Sequence, residues 1–93
     1  MGTPNSRSSF GGPFCNPYDT ERSPGTSSGG SGSSVAANLV TCAIGEETGG
    51  SIHHPSKNNS LVGLAPTQEL VSRDGMIGAA LNTRVGPLCR TVK

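Results

Sequence analysis

Two glycine-flanked serine clusters hold the side chains in this sequence best suited to covalent chemistry. Gly25-Thr26-Ser27-Ser28-Gly29-Gly30-Ser31 opens a segment that Thr48-Gly49-Gly50-Ser51 closes, with Ser27 and Ser51 24 residues apart. A serine hydroxyl becomes a useful nucleophile when a neighbouring base takes its proton. The anion that develops on an attacked carbonyl then needs N–H donors aimed at it. Thr48-Gly49-Gly50-Ser51 can supply both, because glycine admits positive φ and successive N–H groups can then point into one pocket. Taken alone, Gly-Gly-Ser is more often an ordinary glycine-rich loop. Gly25-Thr26-Ser27-Ser28-Gly29 also fits G-x-S-x-G, the nucleophile elbow of α/β-hydrolases. That elbow requires a buried strand before it, and Asp19-Thr20-Glu21-Arg22-Ser23-Pro24 is no such strand. The match is rejected. His53-His54 has no third ligand at helical spacing, which argues against a metal site.

The elements that must position these serines follow from patterning. Residues 1–24 show neither helical nor strand periodicity and carry four of the seven prolines. They read as a loop-rich lead-in, with a turn at Asn16-Pro17-Tyr18-Asp19. Ser28 to Val40 begins with N-cap candidates and continues with Val35, Ala36, Ala37, Leu39 and Val40, which predicts a buried helix of about three turns. Thr41 to Gly45 is short, apolar and partly β-branched, so a buried strand is expected, with Glu46 to Ser51 as the loop at its C-terminal end. Ligand sites of α/β folds gather at that end. Ile52 to Asn59 can hold a short helical turn, and Leu61 to Leu64 reads as a second strand stopped by Pro66. A turn is expected at Asp74-Gly75, an extended segment over Thr83 to Cys89 and a helix start at Arg90 to Lys93. The segments thus divide as 1–24, 25–51 with the serines, and 52–93 with the strands and loops that follow.

Composition bounds the rest. Ninety-three residues amount to one small domain at most. Fourteen glycines, seven prolines and only Phe10, Phe14 and Tyr18 as aromatics leave little to fill a core. Ordering the backbone costs roughly 1–2 kcal/mol per residue, whereas burial returns about 25 cal/mol per Å² of apolar surface. The isolated chain is therefore a poor candidate for independent folding. A net charge of +1, with the charges scattered, indicates no nucleic-acid contact. No apolar run approaches the roughly 18 residues of a membrane span. Cys15, Cys42 and Cys89 are odd in number, lack metal spacing and read as reduced cytosolic thiols, so the chain is expected in the cytoplasm.

The whole chain resembles the amidase signature enzymes, in the central part of their catalytic core. The resemblance rests on PGTSSGGSGSSVAANLV, then IGEETGGSIHHP, LVGLAPT, VSRDG and VGPLCRTVK, all in the family's order, with N-P-Y-D upstream. It implies an α/β fold, namely a fragment of the amidase signature fold with a mixed β-sheet core flanked by helices, and not a complete domain. It implies amide-bond hydrolysis, on carbon–nitrogen bonds other than peptide bonds, by a Ser–cis-Ser–Lys triad. Ser51 would attack the amide carbonyl. Ser27, after a cis peptide bond, would pass the proton to a neutral lysine and return it to the leaving amine. The N–H groups of Thr48, Gly49, Gly50 and Ser51 would form the oxyanion hole, with Ser28 in support. No cofactor or metal is implied.

The sequence departs from the family at several positions. No lysine precedes Ser27, and Lys57 and Lys93 match no catalytic position, so the lysine is expected outside this chain and the 93-residue fragment is expected to be inactive. Glu47 and His53 stand where the family has an Asp–Arg ion pair that steadies the loop; a histidine there is expected to make the loop sensitive on the alkaline side of its titration. Ala65 and Asn82 depart from K-P-T and L-D. The expected partners are a small-molecule amide and the remainder of the same enzyme, with a homodimer possible. Two other readings stand beside this one: a non-catalytic amidase-like scaffold, and the ammonia-supplying component of a tRNA-dependent amidotransferase.

Overall fold

The computed structural model describes residues 6–77 and 81–93. Its elements run β1 (Arg7–Ser8), β2 (Gly12–Pro13), α1 (Gly29–Ala36), β3 (Cys42–Glu47), α2 (His53–Asn58), β4 (Val62–Gly63) and β5 (Arg84–Cys89). β1 and β2 form a small hairpin. The other three strands make one sheet in the order β3-β5-β4, both pairings antiparallel. Among the described residues no helix is long and apolar enough to cross a membrane.

Alternation along the strands decides which face the helices cover. In β3, Gly45 and Glu47 are buried while Cys42 and Ile44 are exposed; in β5, Gly86 and Leu88 are buried. The core of Val35, Ala36, Ile52 and Leu88 lies on the covered face. Both helices approach the sheet closely because glycine stands beneath them. A Cβ on Gly45 would lie 2.6 Å from Leu88 Cδ1 and 3.1 Å from Ile52 Cγ1, and one on Gly63 would overlap Ser56 Oγ. Gly32 does the same between helices, since its Cβ would lie 3.0 Å from both Pro55 Cβ and Asn59 Nδ2.

Several expectations change. The helix expected over three turns is eight residues long. It stops where Asn38 takes φ 62°. Leu39 N–H then donates to Ser34 C=O at 2.9 Å and Asn38 N–H to Val35 C=O at 3.1 Å, which closes the last turn as a Schellman motif. Leu39 and Val40 are left exposed. The strand expected at Thr41 to Gly45 runs on to Glu47, so Glu46 and Glu47 belong to β3 and not to the loop; it is buried on one face only. Val62–Gly63 is the paired part of the second strand, and Arg90 to Lys93 is irregular, not helical. Arg90 instead turns back, its Nη2 donating to Val35 and Ala36 C=O at 3.1 and 2.6 Å, a cation on the carbonyl end of α1. The lead-in contains the β1–β2 hairpin, which its lack of periodicity concealed; residues 1–5 lie outside the described residues. The turn at Asn16–Asp19 forms, with Tyr18 N–H on Asn16 Oδ1 at 2.9 Å, and so does that at Asp74-Gly75, closed by Met76 N–H on Arg73 C=O at 3.1 Å.

Candidate active site

Ser27 and Ser51 enter the site from two different turns. The peptide bond Thr26–Ser27 is cis, and Gly25 before it has φ 86°. A side chain at Gly25 would meet the Pro55 backbone nitrogen at 2.7 Å, so only glycine admits this approach to α2. Ser51 follows Gly50, which has φ 137°; Gly50 C=O accepts from His54 N–H at 2.7 Å and so starts α2.

Ser28 joins the two turns. Its N–H donates to Ser51 C=O at 3.2 Å. Its hydroxyl donates to Glu46 C=O at 3.2 Å and accepts from Glu46 N–H at 3.0 Å. The residue at the N-cap of α1 thus makes no side-chain cap and spends its hydroxyl on β3 instead. Ser31 adds a second strut, donating to Ile44 C=O at 2.7 Å. Ser27 itself is exposed. It opens on a cavity of about 320 Å³, lined also by Ser28, Gly45, Glu46, Met76 and Val85. The expected support from Ser28 is therefore structural: it ties the Ser27 turn to both the Ser51 turn and β3.

Glu47 and His53 do meet. Glu47 Oε2 accepts from the N–H groups of Ile52 and His53 at 2.8 and 2.9 Å, and His53 Nδ1 lies 2.7 Å from Oε1. Burial pushes the Glu47 carboxyl up. The hydrogen bonds from His53 N–H, the His53 ring and Ile52 N–H, together with the imidazole's electrostatic attraction, outweigh it and hold the carboxyl below its ordinary value. The carboxylate thereby fastens the end of β3 to the start of α2 and closes the loop between them. Thr48, at the loop's other side, shares a 2.9 Å hydroxyl contact with buried Thr83. The N–H groups of Gly49, Gly50 and Ser51 make no hydrogen bond to the described residues.

Thr83, Met76 and Ser31 were not singled out from the sequence. Ser31 had a signal, since it ends the S-S-G-G-S run; Thr83 and Met76 had none, because their place depends on tertiary packing and not on local spacing. Lys57 is not brought to the serines. It lines a separate cavity with Asn16, Arg22, Ser23, Asn58 and Ser60.

The chain is similar to known proteins over its whole length. A family model described as Amidase matches residues 1–93. The A component of the glutamyl-tRNA(Gln) amidotransferase of Methanospirillum hungatei is 50% identical over 94 aligned positions, covering 100% of this chain and 22% of that protein. The component of the same name from Thermotoga maritima is 45% identical, again over 100% of this chain and 20% of that protein. Among solved structures, the native peptide amidase from Stenotrophomonas maltophilia is 48% identical with a TM-score of 0.88, covering 94% of this chain and 18% of that one. The chain spans about a fifth of the length of the curated relatives it matches.

Proposed function

The chain belongs to the amidase family, and from that premise we propose that it carries two of the three catalytic groups of an amide-bond hydrolase. Ser51 is the nucleophile that forms the acyl intermediate. Ser27 relays its proton to a lysine outside this sequence and hands it back to the departing amine. The N–H groups of Thr48, Gly49, Gly50 and Ser51 are the donors for the oxyanion, which gains most from donors already aimed before the reaction.

The observation that carries this reading is the Ser28 N–H to Ser51 C=O bond. It sets the turn after the cis Thr26–Ser27 bond beside the turn that bears Ser51. A scaffold would need the bond but neither hydroxyl. The substrate in this reading is an amide other than a backbone peptide. The S. maltophilia structure is named a peptide amidase, so a peptide amide belongs in the same substrate panel.

The test is labelling of the intact protein with a fluorophosphonate, followed by peptide mass spectrometry and amide turnover. Label on Ser51 is expected. Ser51→Ala should abolish turnover, and Ser27→Ala should leave a residue at least about 100-fold reduced, the scale of a lost proton-transfer group. Equal and mild losses in both variants would overturn the assignment. A second reading, the ammonia-supplying component of a tRNA-dependent amidotransferase, is supported by the names of the curated relatives. Copurifying partner proteins, with glutamine hydrolysis that depends on them, would favour it.

A further inference from the structure

Cys42 and Cys89 stand directly opposite each other in the antiparallel β3–β5 ladder. The phase of that ladder follows from β5's other neighbour. Leu64 N–H donates to Pro87 C=O at 3.1 Å, continuing the register that pairs Val62 with Cys89 and Gly63 with Leu88. The backbone polar groups of Pro87, and of Cys89 two residues on, therefore point toward β4 and away from β3. Cys42 and Cys89 form a non-hydrogen-bonded pair of the β3–β5 ladder, the kind whose Cα atoms lie about 4.5 Å apart. A disulfide requires a Cα separation of about 4.4–6.8 Å, so neither strand has to move. Opposed residues project from the same face. Here it is the face away from the helices, with Cys42 exposed and Cys89 partly so. Both line one open cavity of about 590 Å³ at the end of the sheet.

The structure assigns Cys42 and Cys89 as a thiol pair that oxidises to a cross-strand disulfide, with a small soluble disulfide such as glutathione disulfide as the oxidant. One cysteine thiolate attacks the oxidant, forming a mixed disulfide and releasing one glutathione thiolate. The second cysteine displaces the remaining glutathione. Two cysteine thiols are oxidised, one disulfide is reduced, and the two protons lost from the cysteines are taken up by the two glutathione thiolates. The bond ties the start of β3 to the end of β5. It lies at the opposite end of β3 from Glu47, and it restrains the opening of the β3–β5 strand pair that Glu47 ends. Cys15, on the lead-in, has no such partner position in the ladder.

Each cysteine lies in its own tryptic peptide: residues 8–22, 23–57 and 85–90. The intact protein is to be equilibrated with glutathione and its disulfide, quenched with an alkylating agent and digested. In an unfolded chain the shorter loop favours a Cys15–Cys42 bond over Cys42–Cys89 by about twofold. In the folded protein that order is expected to reverse, with the 23–57/85–90 link exceeding any other by about tenfold or more. Cys15→Ser should leave the link in place, and either Cys42→Ser or Cys89→Ser should remove it. The assignment is overturned if the folded protein gives the same order as in guanidinium. Stable mixed disulfides at Cys42 or Cys89 without the bridge, or a Cys42 that alkylates but never bridges, would overturn it equally.

Discussion

The Glu47 carboxylate accepts two backbone N–H groups, from Ile52 and His53, that stay protonated at any pH. The His53 ring adds a contact from a side chain that is 71% exposed, against 7% for Glu47, and solvent screens such a pair. This moves the expected pH sensitivity of the loop. A histidine in place of arginine suggested loosening on the alkaline side, but the fastening persists when the imidazole is neutral. What titrates is Glu47, whose folded value is depressed. Its stabilisation is fully present above the unfolded carboxyl value and is lost as pH falls through the lower folded one. Removing the carboxyl by Glu47→Ala should cost about 2 kcal/mol at neutral pH, the scale of leaving one buried and one part-buried donor unpaired. His53→Ala should cost no more than about 1 kcal/mol. Urea unfolding of the intact protein checks both, and the gap between wild type and Glu47→Ala should close as pH falls. A gap that instead closes on the alkaline side would restore the ion-pair account.

Each element's extent is set by one or two backbone events. α1 ends because Asn38 adopts the left-handed conformation, which asparagine tolerates and a β-branched residue does not. Asn38→Val should therefore destabilise the intact protein by about 1–2 kcal/mol; Asn38→Gly should be neutral or slightly stabilising. Denaturant midpoints of the two variants check the direction, and equal losses would mean that packing, not φ, ends the helix. β5 is the central strand yet contains Pro87, which cannot donate to a ladder. It is tolerated because Pro87 presents its missing N–H to the β4 side, just past the short Val62–Gly63 pairing. Pro87 still accepts from Leu64 there, and its side toward Ile44 needs no donor.

At the scale of the whole molecule the apolar side chains are divided unevenly. Val35, Ala36, Ile52 and Leu88 are the buried apolar core among the described residues. Phe10, Leu39, Ile44, Leu64, Leu70, Ile77 and Leu81 are exposed, Phe10 completely. Phe14 lies beside Gly29, while Phe10 and Tyr18 are exposed, so two of three aromatics contribute nothing to the core. Burial on this scale does not offset a backbone ordering cost of roughly 1–2 kcal/mol per residue. The 93-residue chain by itself is expected to show no cooperative thermal transition and poorly dispersed amide signals. A sharp melting curve from that chain would refute the composition argument.

The sequence by itself determined the succession of serine motifs, the family they resemble, and the turns at Asn16–Asp19 and Asp74-Gly75. These are local or ordered along the chain, and residue type and spacing record them. Only the tertiary structure decided that Ser28 ties one serine turn to the other and to β3, that Glu47 is held by backbone donors, and that Thr83 meets Thr48. Only it decided which face of β3 is buried. TCAIG has no alternation that marks a face, and the choice falls to Leu88 and Ile52, whose volume fills the space that the absent side chain of Gly45 leaves. The same holds for Cys42 and Cys89: they are far apart along the chain and become neighbours through strand register, which the pairing of β3 with β5 sets.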